Sequence, residues 1–157
     1  MCYSIIFEDK PYSVNKKGGI EKERYQNKIK NIMQQKYPLP LGDKVHYKYN
    51  DKLYVLMAYF HKARLDMDID NILKYTIDSF CKFLYKDDRQ IRYCVSQAIE
   101  CKNNNLDAID ITNLDEDCAL KLKKFIEDDK YDATLTYFEC GLMTEKFYKF
   151  NLEKIWK

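Results

Sequence analysis

The sequence predicts an α+β protein with helices on one face of a mixed sheet. Two hydrophobic patterns indicate this class. Apolar residues recur at steps of three and four over residues 69–84, which is typical of an amphipathic helix. They alternate over residues 91–99, which is typical of a half-buried strand. We expect a two-layer core of element order βαββαββ, followed by a C-terminal helix and strand.

The first third of the chain contains one strand and one helix. Residues 3–7 form a short apolar strand, and a Lys-Lys-Gly-Gly turn at 16–19 precedes a basic helix. That helix ends before Pro38, because the residue that precedes a proline is disfavoured in helical geometry. Its apolar face consists of Tyr25, Ile29, Ile32 and Met33.

The middle of the chain carries three more strand patterns. Residues 45–49 and 53–60 are apolar and flank an Asn-Asp-Lys turn sequence, which predicts a β-hairpin. After strand 91–99, three asparagines at 103–105 predict a turn into a short strand at 106–111.

The chain changes character after residue 112. We expect residues 1–112 to form the main domain and residues 113–157 to form a C-terminal appendage. The appendage would contain a helix around residues 114–126 and a strand at 131–138. It would pack on the domain, extend its sheet or mediate association. The absence of a repeat or a Ser/Pro-rich linker favours one domain.

Composition and charge narrow the function classes. Six cysteines without a CxxC pair predict reduced thiols in a cytoplasmic protein, and two histidines argue against structural zinc. No apolar run is long enough to cross a membrane, and residues 1–4 lack the charged start of a signal peptide.

The net charge of +2 divides unevenly along the chain. Residues 1–64 contain thirteen basic and six acidic residues, whereas residues 65–130 contain ten basic and fifteen acidic ones. A basic region beside an acidic cluster suits an enzyme that binds a phosphodiester backbone and holds a metal. An ordinary solvated surface is equally compatible with these counts.

The acidic cluster consists of two short motifs. Residues 68–74 read Asp-Ile-Asp-Asn-Ile-Leu-Lys, and residues 87–91 read Asp-Asp-Arg-Gln-Ile at the far end of the same predicted helix. Asp70, Lys74 and Asp78 step by four and therefore share a helix face. Oxygen ligands of this kind suit Mg²⁺, which completes its coordination with water and phosphate oxygens.

Other interpretations of these residues stay open at this point. Asp68 or Asp70 can be a helix N-cap, and the acidic face can be simply solvated. Lys74 can be an ion-pair partner of Asp70 or Asp78, a contact worth a few tenths of a kcal/mol. His61 precedes the cluster by a few residues, but a lone histidine there is more often packed or solvated than a ligand.

Together the motifs resemble the RusA-type Holliday junction resolvases, small endodeoxyribonucleases often found in prophage regions. The resemblance runs from Pro-Tyr-Ser-Val-Asn at residues 11–15 through both acidic motifs and Asp78, and it covers roughly residues 1–112. It implies a homodimer that binds four-way DNA junctions in recombination and repair. It also implies that two opposed strands are nicked with Mg²⁺ or Mn²⁺ as the cofactor.

The resemblance also assigns roles to individual residues. Asp68, Asp70 and Asp88 match the family's catalytic, metal-binding carboxylates, and Lys74 matches its catalytic lysine. Supporting or structural roles are implied for Asn71, Asp78 and Asp87, and DNA contact or backbone positioning for Ser13 and Asn15. The alternative is a non-catalytic DNA-binding module or a protein-interaction module with an acidic helix face.

Overall fold

A computed structural model describes residues 2–9, 19–63, 68–101, 112–128 and 133–143. Four strands and three helices alternate along these ranges, and a 3₁₀ turn at Asp88–Gln90 precedes the third strand. In chain order the elements are β1 (Cys2–Phe7), α1 (Gly19–Lys36), β2 (Leu53–His61), α2 (Ile69–Phe80), β3 (Ile91–Glu100), α3 (Glu116–Glu127) and β4 (Thr134–Leu142). The predicted α+β class is confirmed.

The four strands form one mixed sheet in the order β1-β4-β2-β3. Strand β4 pairs antiparallel with β1 on one side and with β2 on the other, whereas β2 and β3 run parallel. Gly141 of β4, for example, lies opposite Cys2 in β1 and opposite Tyr54 in β2. The last strand of the described residues therefore occupies an interior position in the sheet.

Helices α1 and α2 cover one face of the sheet. The apolar side chains on one face of each helix pack with alternate residues of β1, β2 and β4 in a single buried cluster. One face of a helix repeats every 3.6 residues, and one face of a strand repeats every two. The members of this cluster include Ile5, Val55, Phe138, Ile29, Met33, Tyr75 and Phe80. The two helices predicted for the core thus share one face.

Helix α3 covers part of the opposite face. Its buried side chains are Cys118, Leu122, Phe125 and Ile126. They pack with Ile6, Phe60 and Leu135, which point away from α1 and α2. The C-terminal helix therefore adds a third layer to the two that the sequence predicts.

The predicted hairpin at residues 45–60 is wrong. Strand β2 is present, but residues 45–49 form turns and bends instead of a strand. Both edges of β2 are already paired, with β4 and β3, so no edge is left for a hairpin partner. Residues 46 and 47 instead donate backbone hydrogen bonds to the carbonyls of Phe83 and Leu84, at 3.1 and 2.8 Å.

The acidic helix is shorter than its hydrophobic pattern predicts. It ends at Phe80, and Lys82 adopts a left-handed backbone conformation with φ of 66°. Phe83, Leu84 and Tyr85 are then buried at consecutive positions, which a single helix face cannot achieve. The chain reverses here, and the Tyr85 hydroxyl donates to the carbonyl of Ile77 at 2.7 Å.

Several smaller predictions can also be compared with the structure. The strand predicted at 106–111 lies outside the described residues, and β4 runs to Leu142, beyond the predicted end at 138. All six cysteines are free thiols. None of the helices in the described ranges has the length and hydropathy that a membrane span requires.

The position of β4 predicts the consequence of truncation. A chain that ends at residue 112 removes the strand between β1 and β2, and we expect it to lose cooperative unfolding. A chain that ends at residue 143 retains β4 and serves as the control. Near-ultraviolet circular dichroism in a urea titration distinguishes the two, and a cooperative transition in the shorter chain would contradict the prediction.

Candidate active site

Helix α2 places three charged side chains on its solvent side. Asp70, Lys74 and Asp78 are exposed at intervals of four residues, whereas Ile72 and Tyr75 on the other side are buried. The strong amphipathic pattern of the helix thus fixes the direction of its polar side chains. As the spacing predicts, all three line one groove.

Asp88 reaches this groove because α2 does not continue. An unbroken helix would separate Asp70 from Asp88 by roughly 27 Å along its axis, at about 1.5 Å per residue. The reversal after Phe80 instead returns the chain alongside α2. The resulting groove of about 350 Å³ is lined by Asp70, Leu73, Lys74, Ile77, Asp78, Asp88 and Ile91.

Asp68 occupies the N-cap position of α2, but its side chain does not cap the helix. The exposed carboxylate accepts no hydrogen bond from the first helical turn, while its backbone carbonyl accepts from Asn71 at 3.1 Å. Asp70 accepts a bond from the Asn71 backbone at 2.9 Å. The N-cap interpretation therefore does not account for the Asp68 carboxylate.

Lys74 is exposed within the groove and does not form the alternative helix ion pair. Its ammonium lies beyond 4.0 Å from the carboxylates of both Asp70 and Asp78. The lysine is thus adjacent to several carboxylates without being paired to either helix neighbour. Its position is compatible with an interaction with a bound anion.

Asp87 has a structural role in the second motif. Its carboxylate caps the 3₁₀ turn by accepting the Arg89 backbone N–H at 2.9 Å. That hydrogen bond is the main reason that the pKa of Asp87 is lowered from its usual value. Of the two adjacent aspartates, Asp87 therefore holds the turn and Asp88 faces the groove.

Gln90 fastens this turn to a distant loop. Its side chain is only 5% exposed. The amide oxygen accepts the backbone N–H groups of Lys86 and Asp87 at 3.0 and 3.3 Å. The amide nitrogen donates to the carbonyls of Lys48 and Asp51 at 2.8 and 3.5 Å. Gln90 is thus a positioning residue for Asp88, a role that its place in the sequence motif does not reveal.

The other predicted site residues contribute less to this groove. His61 is buried at the end of β2, where its Nδ1 lies 2.7 Å from the carbonyl oxygen of Ala63. Ser13 and Asn15 lie outside the described residues. Asn71 is half-buried at the start of α2 and is not among the groove-lining residues.

A second acidic cluster was not predicted from the sequence. Within the described ranges, three potential metal-ligand atoms lie within 4.8 Å of one another at Asp115, Asp117 and Cys118. The carboxylates of Asp68, Asp70 and Asp88 do not converge to that extent. Ligand spacing alone would therefore favour the second cluster as the metal site.

The contacts of the second cluster give it a structural role. Asp115 caps α3 through the Cys118 backbone N–H at 3.0 Å, accepts the Ser4 hydroxyl at 2.8 Å, and pairs with Lys36 at 3.0 Å. Burial alone would raise the pKa of Asp115, but these bonds hold it well below its usual value. Asp117 is paired with Lys121 at 2.9 Å.

The thiol of the second cluster lies in a buried environment. Burial raises the pKa of Cys118 to about 12, so the thiol keeps its proton at neutral pH in this structure. The cluster instead ties α3 to β1 and α1. At the other end of α3, the Lys62 ammonium donates to the carbonyl of Asp128.

A comparison with known protein families identifies the family of this chain. Residues 12–112 match the family described as Endodeoxyribonuclease RusA. No curated protein matches the sequence. The matched segment includes both acidic motifs and most of the chain length, so the protein belongs to the RusA endodeoxyribonuclease family. Members of this family are endonucleases that act on branched DNA.

The hydrogen bonds of Gln90 predict a large effect of Gln90→Leu. This substitution leaves partly buried backbone groups at residues 48, 86 and 87 without their partner, so we expect a loss of about 1–3 kcal/mol in the free energy of unfolding. Gln90→Glu keeps the acceptor oxygen but sets a carboxylate oxygen against the carbonyls of Lys48 and Asp51, so it should be destabilised as well. Arg89→Ala, at the exposed neighbouring position, is the control. Urea unfolding measures all three, and an unchanged Gln90→Leu variant would contradict the positioning role.

Proposed function

We propose that this protein is a metal-dependent endodeoxyribonuclease that resolves four-way DNA junctions in recombination and repair. The observation that carries the proposal is the groove in which Asp70, Asp88 and Lys74 meet. Family membership supports an endonuclease activity. The charged groove supports the proposal that this activity belongs to Asp70, Asp88 and Lys74.

Three aspartates are proposed to hold the metal. Asp70 and Asp88 line one groove from two different elements, and the Asp68 carboxylate is not used as a helix cap. Mg²⁺ or Mn²⁺ suits these donors, because Mg²⁺ is usually bound by one or two carboxylates and completes its shell with water. A bound divalent ion would polarise the scissile phosphate and lower the pKa of a water molecule.

The protein's own residues have separate tasks in this mechanism. Lys74 would stabilise the negative charge that develops on the phosphate oxygens, because it is exposed in the groove and forms no ion pair with Asp70 or Asp78. Gln90 and Asp87 would hold Asp88 in place through the turn. Asp78, which also lines the groove, would add negative charge near the metal without contacting it.

We further propose that the active form is a homodimer. A four-way junction has two opposed strands to be cut, and a two-fold symmetric pair of identical chains presents two equivalent active sites to them. Basic side chains near the groove would bind the phosphate backbone electrostatically, so affinity should fall steeply with salt concentration.

Substitution of Asp70 tests the proposed function. Asp70→Asn removes one carboxylate charge at an exposed position, so we expect cleavage of a labelled four-way junction in Mg²⁺ to be abolished while junction binding is retained or strengthened. Asp117→Asn, in the second acidic cluster, is the matched control and should cleave normally. Linear duplex DNA and a reaction without metal complete the experiment.

Three outcomes would contradict this function or its assigned residues. Loss of cleavage in Asp117→Asn but not in Asp70→Asn would move the metal to the second cluster. Loss of DNA binding together with cleavage in Asp70→Asn would make that carboxylate structural. A wild-type protein that neither binds nor cuts the junction would favour the alternative of a protein-interaction module.

Lys74→Ala separates chemistry from stability. Lys74 is exposed and forms no ion pair with its helix neighbours, so its loss should change the free energy of unfolding by well under about 1 kcal/mol. If it stabilises the transition state, cleavage should slow by about tenfold or more, since each 1.36 kcal/mol is tenfold. Single-turnover cleavage and urea unfolding give the two values. A variant that is active but destabilised would contradict the catalytic role.

A further inference from the structure

An exposed aromatic ring lies beside the turn that carries Asp88. Tyr49 belongs to the loop that Gln90 fastens to this turn, and 65% of its surface is exposed. The Lys86 ammonium lies 4.9 Å from the centre of the ring. Lys86 and Asp88 are two residues apart, so the ring lies near the turn that places Asp88 in the groove.

The two segments that Gln90 connects are rich in basic side chains. The exposed ones on the two connected segments are Lys44, Lys48, Lys52, Lys82, Lys86, Arg89 and Arg92. The same two segments carry four acidic residues, Asp43, Asp51, Asp87 and Asp88, so the seven cations outnumber the carboxylates. The surface around Tyr49 therefore attracts a polyanion.

Stability does not account for the exposure of Tyr49. A tyrosine that contributed to the core would be buried, as Tyr47 is two residues earlier in the same loop. An exposed cation–π contact such as that with Lys86 contributes little, about 0.5–1 kcal/mol. By contrast, an exposed aromatic ring among cations is the arrangement that proteins use to stack an unpaired nucleobase.

We infer that Tyr49 is a stacking platform for a nucleobase displaced from the helix next to the cleavage groove, with the surrounding lysines and arginines holding the flanking phosphates. This inference rests on the proposed function and deepens it. Bases at a branch point are less constrained by stacking than those in a continuous duplex, so Tyr49 would favour branched over linear DNA. Tyr49 is thus assigned a role in substrate recognition and none in the chemistry at phosphorus.

Photochemical crosslinking tests the inference directly. Four-way junctions that carry 5-iododeoxyuridine at single positions around the crossover are bound in metal-free buffer, irradiated, and the crosslinked residue is identified by mass spectrometry. We expect a crosslink to Tyr49 at one or a few adjacent positions. Tyr49→Ala should abolish it and weaken junction binding by about fivefold or more, whereas Tyr49→Phe should retain both.

The controls separate stacking from other effects. Leu120→Ala removes an exposed apolar side chain from α3 on the opposite face of the sheet and should bind as the wild type does. Equal weakening by Tyr49→Ala and Leu120→Ala, or a loss of binding in Tyr49→Phe, would overturn the stacking role. So would wild-type affinity in Tyr49→Ala without a Tyr49 crosslink.

The outcomes also distinguish this inference from the proposed function. A wild-type protein that cleaves junctions, combined with a Tyr49→Ala variant that binds them normally, leaves the nuclease function in place and rejects the platform. A wild-type protein that neither binds nor cleaves junctions rejects both.

Discussion

The fold depends on the pairing of β4 with both β1 and β2. This strand is the last one in the described part of the chain, yet its two edges supply the antiparallel partners of β1 and β2. Its packing is close enough that a Cβ on Gly141 would lie 2.5 Å from the Tyr54 ring. The Tyr54 hydroxyl donates to Glu139 of β4 at 2.5 Å. Completion of the sheet therefore requires contacts across most of the chain, which is a slow kind of folding step.

The geometry of the groove follows from a second constraint, the reversal of the chain after α2. Burial of Phe83, Leu84 and Tyr85 against the core holds the reversal, and the Tyr85 hydroxyl secures it to Ile77. Asp88 and the residues of α2 thus belong to separate rigid elements that meet at one surface. A site built in this way retains its geometry because packing and hydrogen bonds, such as those of Gln90, support it.

Acidic residues in this protein differ by their contacts more than by their sequence surroundings. Asp87 and Asp115 are helix caps whose carboxylates accept backbone N–H groups, and their pKa values are lowered accordingly. Asp68 is also at an N-cap position, but its carboxylate is not used there. Capping satisfies a carboxylate without a metal, and the Asp68 carboxylate, which does not cap its helix, is among those proposed to bind the metal.

The sequence by itself determined the fold class, the helices and β1, β2 and β3, because local hydrophobic periods direct side chains to one face. It also determined the two acidic motifs, since their spacing carries the family resemblance.

Tertiary structure decided that residues 45–49 are not a strand, because both edges of β2 are occupied by distant segments. It also decided that Asp88 joins Asp70 and Lys74, since this requires a reversal that a helical period does not encode. The role of Gln90 depends on a loop about forty residues away, and no local pattern records such a contact.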